Sequence, residues 1–392
     1  MKFAHLADCH VGGWKEPELK NLGLQYFENA IDTCIKNNVA FVIISGDLFN
    51  TAIPEIQTIK ETARILHKLK DHDISCYIIA GSHDYSPSGK TMLDVLEESG
   101  LVKNVMKFNN NQLKFTQDKT GTKFTGIYGR RGGLEVLDYD KLNKEPLEKE
   151  EGFKIFLFHT ALEEFKPESL NAIDIQSYRS LPKNFNYYAG GHVHYIFQKQ
   201  VPDYGLITYP GPIFPNSFKE LEELKGGGFY IVDEKLNFEH IKIRLKEVVS
   251  LQIDVTDLTP DQAKDKILKE LTQDLKDKIV TLRIFGKLKS GKPSEIGIKQ
   301  LIEKIECFSL IKNTSKLISE EFEEQETLPT EIVNIEQVII QQNSGKLLVL
   351  TKDKEEELTQ KLILNLDKEK LEGEKNADYE NRIIKDSLEI LK

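Results

Sequence analysis

Cysteine is scarce. Cys9, Cys34, Cys76 and Cys307 are scattered along 392 positions and form no CxxC pair. That spacing argues against a disulfide framework or a zinc knuckle, and a reducing cytosol fits it. Long apolar runs are missing as well. None approaches the roughly 18 residues that a membrane span needs. The opening stretch "MKFAHLADCH" has too short an apolar segment for a secretory signal. The expected setting is therefore cytoplasmic, with no membrane contact. Positive charge is in deficit, with 53 Lys and Arg against 63 Asp and Glu, a formal net charge of −10. A generally basic nucleic-acid binder does not look like this, but one using local patches or bound cations still can. No internal repeat is visible.

What is present is an ordinary 39% apolar content, enough for real cores, and a length that predicts two or three domains. Residues 1–240 alternate short apolar runs with helical patterns. "KFAHLA", "AFVIIS", "CYIIAG" and "KIFLFH" read as buried strands. Helices are expected from Pro17 and from Pro54, since proline favours the first helical turn. After about residue 100 the pattern becomes strand-rich, with Asn and Gly turns. From 246 to 320 the order strand, helix, strand, helix, strand predicts a small separate α+β domain. Residues 321–352 read as a linker or strand region; "SEEFEEQE" (319–326) is its acidic start. Residues 353–392 read as a charged helical tail. Leu358, Leu362, Ile363 and Leu366 recur there at helical spacing, as do Tyr379, Ile383, Ile384, Leu388 and Leu391. Such stripes pack either on the chain's own body or on a partner.

The chemistry collects at strand ends. The first strand leads into Asp8-Cys9-His10, the second into Gly46-Asp47, and the third into Gly81-Ser82-His83-Asp84. A later strand ends at His159. "YAGGHVHY" (188–195) then places His192 and His194 one residue apart. In an extended segment residues i and i+2 point the same way, so both imidazoles are expected to face one point. Gly190 and Gly191 permit a sharp turn or a close backbone approach. Groups at the carboxyl ends of neighbouring strands converge on one crevice in open α/β sheets. Five of the nine histidines fall in these segments. His5, His67, His72 and His240 do not, and read as packing or surface residues. Each segment alone is a weak signal; the ordered set is a strong one.

Taken in order, Asp-x-His, Gly-Asp, Gly-x-His-Asp, a histidine after a strand and Gly-His-x-His resemble the signature of the calcineurin-like metallophosphoesterases. "HLADCHVGG", "SGDLFN", "GSHDYSPSGKTMLDVLEESG" and "YPGPIFPNSF" resemble more narrowly the SbcD family, the nuclease subunits of DNA break-repair complexes, in an archaeal branch. The resemblance is specific over residues 1–215 and architectural beyond them. It implies a β-sandwich flanked by helices, with 246–320 as a DNA-capping domain. It implies two divalent cations, Mn2+ or another transition metal, about 3.5–4 Å apart. Asp8, His10, Asp47 and His194 would hold one ion. Asp47, His159 and His192 would hold the other, with Ser82 beside it, so that Asp47 bridges and His192 and His194 serve different ions. Mixed imidazole and carboxylate donors suit such metals better than calcium. His83 would face the phosphate, and Asp84 would hydrogen-bond and orient His83.

The implied activity is Mn-dependent DNA cleavage, as a 3′-to-5′ exonuclease and single-strand endonuclease. The implied partners are DNA ends and single strands, a second copy of the chain, and an SbcC-type coiled-coil ATPase bound through residues 350–392. The dimer is expected through helices near 54–72 and 90–99, carrying Ile59, Ile65, Leu66, Leu69, Met92, Leu93 and Leu96; core packing is the alternative. Arg130, Arg131, Lys287, Lys289 and Lys292 offer local positive charge for phosphates, or are solvated loop charges. Two departures stand out. The family has Asn where this chain has Ser82, and many relatives have His where it has Asn50. Two rival readings remain. One is a phosphoesterase for cyclic nucleotides or phosphoproteins, which needs neither the second domain nor the tail. The other is a degenerate scaffold for the ATPase.

Overall fold

The computed structural model describes residues 1–86, 91–109, 112–130, 135–166, 175–272, 274–303, 305–319, 351–366 and 376–390. The chain divides into two compact units, residues 1–321 and 322–392. In the first, the apolar runs become strands because parallel strands buried on both faces need near-continuous Val, Ile, Leu and Phe. Strands β1 (Lys2–Leu6), β2 (Phe41–Ser45), β3 (Ser75–Ile79) and β4 (Lys103–Asn104) run parallel in one sheet. A second sheet contains β5 (Thr116–Gln117), β6 (Lys123–Ile127), β7 (Lys154–His159), β8 (Tyr187–Gly191), β9 (Ile196–Val201) and β10 (Gly205–Pro210). Strands β11 (Gly227–Asp233) and β12 (Phe238–Ile243) return to extend the first sheet antiparallel beyond β1. The orders are β12-β11-β1-β2-β3-β4 and β9-β10-β8-β7-β6-β5.

Alternation along each strand builds two layers of core. Phe3, Phe41, Ile43, Tyr77, Phe124, Ile155, Leu157 and Tyr187 pack together in one cluster drawn from both sheets. Ala4, Leu6, Val42, Ile44 and Ile78, the neighbours of opposite facing, pack in a second cluster with the helices. The aromatic pairs Phe3–Phe41 and Tyr77–Phe124 stack at centroid separations of 5.2 and 4.0 Å. Each such side chain, fully buried, contributes about 1.5–3 kcal/mol.

Helix α1 (Pro17–Lys36) starts at its proline, and its buried face is Leu19, Leu22, Tyr26, Phe27, Ala30, Ile31 and Cys34, at steps of three and four. Helix α2 starts at Ile56, two residues after Pro54, and runs to Asp71. Ile65, Leu66 and Leu69 of α2, and Leu93 and Leu96 of α3 (Met92–Glu98), are buried in the core; Ile59 and Met92 pack against it. The residues expected at a dimer contact are thus mostly core. The apolar side chains left exposed nearby are Ile53, Ile56 and Val95. Among the described residues no helix is long and apolar enough to cross a membrane.

The segment read as α+β is an all-parallel sheet. Strands β13 (Val248–Asp254), β14 (Ile279–Leu288) and β15 (Ser309–Ser319) lie in that order, joined through helix α5 (Pro260–Glu270) and a short helix at Ile298–Ile302. Strand-helix-strand crossovers produce parallel pairs, so the segment is α/β. Its core of Leu251, Ile253, Ala263, Ile267, Leu282, Ile284 and Leu301 is its own. Val248 and Ile279, however, are buried in the cluster of β1 and α1. That shared packing is why it belongs to the same compact unit rather than standing apart.

The second unit shows two helices, Lys352–Leu366 and Asn376–Ile390. Asn365 Nδ2 donates to the Ile383 carbonyl at 3.1 Å and meets Ser387 Oγ at 2.9 Å, tying them together. Ile383 is buried, whereas Ile384 and Leu388 are exposed. The expected acidic start and linker, 320–350, and Leu391 lie outside the described residues.

Candidate metal centre

Every expected site segment sits just beyond the carboxyl end of a parallel strand: Asp8 and His10 after β1, Asp47 after β2, His83 after β3, His159 ending β7, and His192 and His194 after β8. The loops are held by backbone pairing. His10 N–H donates to the Asp47 carbonyl at 2.9 Å, and Val11 N–H to that of Leu48 at 2.9 Å. Four of these residues have left-handed backbone, with φ of 49° at Asp8, 41° at His10, 51° at Asp47 and 90° at His192. Each such non-glycine residue costs of order 1–3 kcal/mol, a cost the surrounding pairing must hold in place. Two glycines allow the close packing. A Cβ on Gly46 (φ 88°) would lie 2.2 Å from His159 Nδ1, and one on Gly191 would lie 2.1 Å from the Ser45 carbonyl oxygen. Close approach, rather than a turn, is what Gly191 provides.

Three sets of donor atoms lie within 4.8 Å of one another: Asp8, His10 and His194; His10, Asp47 and His83; Asp8, Asp47 and His159. His10 Nε2 and His194 Nε2 face each other at 3.0 Å. His159 Nε2 lies 3.2 Å from Asp47 Oδ2. His192 and His194 have different ring neighbours. The backbone bends at His192, whose ring centroid lies 5.1 Å from that of His159, while the His194 ring lies 4.9 Å from that of His10. The His192 N–H donates to Asp8 Oδ1 at 2.8 Å. Ser82 sits, half-buried, in the turn after Gly81, whose Cα approaches Asp47.

The donor set fits divalent cations. Asp8 Oδ2, His10 Nδ1 and His159 Nε2 are buried without a hydrogen-bond partner, a cost that natural cores avoid unless something else satisfies them. Burial holds His10 and His192 down to about 3, hence as the neutral imidazoles that ligate metals. Burial pushes the Asp8 carboxyl up to about 6, with His194 and His159 opposing. Burial would lower His159 too, but the Asp47 carboxylate outweighs it and lifts it to about 10. Likewise His194 is raised to about 9 by Glu220 against burial.

The supports of these ligands differ from expectation in two places. Asp84 does not orient His83. Its carboxylate accepts the backbone N–H groups of Leu48, Phe49 and Gly81 at 3.1, 2.9 and 3.0 Å, pinning the loop after β2. Burial, with Asp47 next, pushes it up to about 7, and those three donors oppose. His83 Nδ1 donates instead to the Asn50 carbonyl at 2.8 Å, which leaves Nε2 toward other partners. A backbone group does the orienting, so the side chain at position 50 carries no signal for it. Glu220 was missed altogether. Its Oε1 lies 3.0 Å from His194 Nδ1. The signal was the Ser217-x-x-Glu220 capping spacing at the start of helix α4 (Phe218–Leu224), where Ser217 accepts the Glu220 N–H. His159 Nδ1 donates to the Ser45 carbonyl at 2.8 Å. His5, read as a packing residue, is buried beneath, between Tyr187 Oη at 2.9 Å and Ser45 Oγ at 3.0 Å. Arg130 is not free for phosphate: it pairs with Asp138 at 3.3 Å and lies over the Tyr85 ring. Arg131 lies outside the described residues.

The calcineurin-like phosphoesterase family model matches residues 1–195. The chain is 32% identical over 255 residues to the DNA double-strand break repair protein Mre11 of Methanococcus maripaludis. That match covers 61% of this chain and 64%, less than two thirds, of that protein. It is 25% identical over 360 residues to the protein of that name from Archaeoglobus fulgidus, covering 82% of this chain and 79% of the relative. The Sulfolobus acidocaldarius protein is 26% identical over 339 residues, with 82% and 85% covered. Strand-end motifs in family order, the crevice they build and matches over most of the chain agree: residues 1–195 match the calcineurin-like phosphoesterases, and the chain is similar to archaeal proteins named DNA double-strand break repair protein Mre11.

Proposed function

We propose that this protein is a metal-dependent DNA nuclease of double-strand-break repair, cleaving phosphodiesters as a 3′-to-5′ exonuclease and single-strand endonuclease in the cytoplasm. The observation that carries the reading is the convergence of Asp8, His10, Asp47, His83, His159 and His194 on one crevice with buried donor atoms unpaired. Asp8, His10, Asp47 and His194 would hold one divalent cation, and Asp47, His159 and His192, with Ser82 beside them, a second, Mn2+ being the preferred metal. Two such cations supply charge neutralisation at the phosphate and an activated water. The chain's own groups do the rest. Asp47 would serve both cations. The Asn50 carbonyl holds the Nδ1–H of His83, so Nε2 faces the phosphate; with the ring protonated at both nitrogens, His83 would stabilise the transition state or give its Nε2 proton to the leaving oxygen. Glu220 and the Ser45 carbonyl fix the rings of His194 and His159. The relatives named as DNA double-strand break repair proteins support DNA as substrate over a cyclic nucleotide or a phosphoprotein. The test is labelled linear duplex DNA beside a chromogenic phosphodiester, each with Mn2+ and with chelator. Cleavage of DNA that chelator abolishes is expected. Cleavage of the small ester alone points to another substrate class, and no cleavage of either points to a scaffold.

Two assemblies belong to this reading. The exposed Ile384 and Leu388 of the C-terminal helix are the docking face for a coiled-coil ATPase of SbcC type. Removing residues 350–392 should abolish capture of that partner and leave Mn2+-dependent cleavage; unchanged capture would refute the assignment. A homodimer would use the exposed Ile53, Ile56 and Val95, because most of the residues first expected there are core.

A further inference from the structure

Helix α4 has a different partner on each side. Glu220 and Glu222 are two residues apart, so the helical twist points them away from each other. Glu220 reaches the metal centre: Oε1 meets His194 Nδ1 at 3.0 Å and accepts from Ser217 Oγ at 2.9 Å, and Oε2 accepts the Asn216 N–H at 2.8 Å. Glu222 reaches the second domain. Arg283 of β14 donates Nε to both its oxygens at 3.2 Å and Nη2 to Oε2 at 2.5 Å. The pair is largely removed from solvent, with the two side chains 22% and 9% exposed. The Arg283 guanidinium also lies 4.9 Å from the centroid of Phe218, one turn before Glu222 on the same face. A bidentate, stacked arginine holds one geometry where a lysine would not.

The loop before the helix extends the connection. Asn216 Nδ2 donates to Asn50 Oδ1 at 2.9 Å, and the Asn50 carbonyl receives His83 Nδ1. Both the His194 ring and the His83 ring are therefore tied, through Glu220 and through Asn216, to the start of α4. That helix is gripped from outside by Arg283, a residue of another sheet.

We propose that Arg283 is a positioning residue for the metal centre: by clamping Glu222 and Phe218 it fixes α4, and so fixes the Glu220 carboxylate that aims His194. A shift of the second domain is then felt at a metal ligand. The proposal rests on the phosphoesterase reading above.

The experiment is a titration of the full-length protein with Mn2+, without DNA, following the free-ion signal by electron paramagnetic resonance. Arg283→Met is expected to weaken the binding of one Mn2+ by about 10-fold, the lower end for supports outside the ligand shell, and to leave the other unchanged. Glu220→Gln is expected to weaken the same ion, and the double variant to lose little more than Glu220→Gln alone, since both act through one ring. Lys246→Met, which breaks the Lys246–Asp277 ion pair within the second domain, is expected to change nothing. If Arg283→Met fails to fold, the isosteric Glu222→Gln is titrated in its place. A folded variant with wild-type Mn2+ binding, or losses that add in full, overturns the proposal. Wild-type protein that binds no Mn2+ would instead overturn the phosphoesterase reading itself.

Discussion

The strand-end crevice and the three-stranded second domain are built on opposite terms. In the crevice, Asp8, His10, Asp47 and His192 adopt left-handed backbone, and carboxylate and imidazole atoms are buried without hydrogen bonds. Among the described residues of the second domain, the left-handed non-glycine ones are Asp257 and Asp277, both in turns, a role that Asp tolerates. Its core is aliphatic, and its helix α5 opens with Pro260 and a Thr259–Gln262 capping box. Its unpaired buried atoms are the lone hydroxyl oxygens of Ser250, Thr281 and Ser319. The second domain thus keeps most local rules of stability and breaks them only at hydroxyls and turns, while the crevice breaks several of them with charged groups held in one place. Such departures are expected where function opposes packing.

That contrast can be broken by substitution. Asp47→Ala should have the largest effect on chemistry: DNA cleavage should fall to background, because the two proposed cations would lose their shared anion. The melting transition should fall as well, because alanine tolerates the left-handed backbone at position 47 less well than aspartate and the buried His159 ring loses its carboxylate partner. An unchanged transition would mean that the Asp47 carboxylate contributes nothing to the fold. His83→Ala should lower the cleavage rate by about 100- to 10,000-fold, the range for a positioned general acid, while Mn2+ binding stays in place. An emptied metal centre would instead make His83 a ligand, which its grouping with His10 and Asp47 allows. Ile267→Ala, at a fully buried position of α5, should do the reverse. It should cost about 2–5 kcal/mol in denaturant unfolding and leave Mn2+ affinity unchanged. Smallest is Ser82→Asn. A side-chain amide oxygen is usually a better ligand than a hydroxyl, so the Mn2+ activation curve should move about 10-fold lower. Ser82→Ala should move it upward, and identical curves for all three proteins would make Ser82 a bystander.

Strand ends and the family likeness were readable in the sequence because each depends on short motifs, residues near one another in the chain. A buried parallel strand is a continuous apolar run, and its carboxyl end is where the run stops, so Asp8, Asp47 and His159 mark themselves. Support and separation were not readable, because they depend on residues distant in the chain or on the backbone. His83 is aimed by a carbonyl, which no side chain announces. Asp84 serves three N–H groups rather than its neighbour. His192 and His194 meet different rings, and the backbone at His192 is left-handed, which strand periodicity could not foresee. The apolar residues of α2 and α3 read equally as interface or core until the sheet beneath them claimed Ile65, Leu66, Leu93 and Leu96. The sequence by itself determined which polar side chains stand at the strand ends. Only the tertiary structure decided which of them meet, and what holds each in place, because those contacts join residues such as Asn50 and Asn216, or Glu222 and Arg283, that proximity along the chain never brings together.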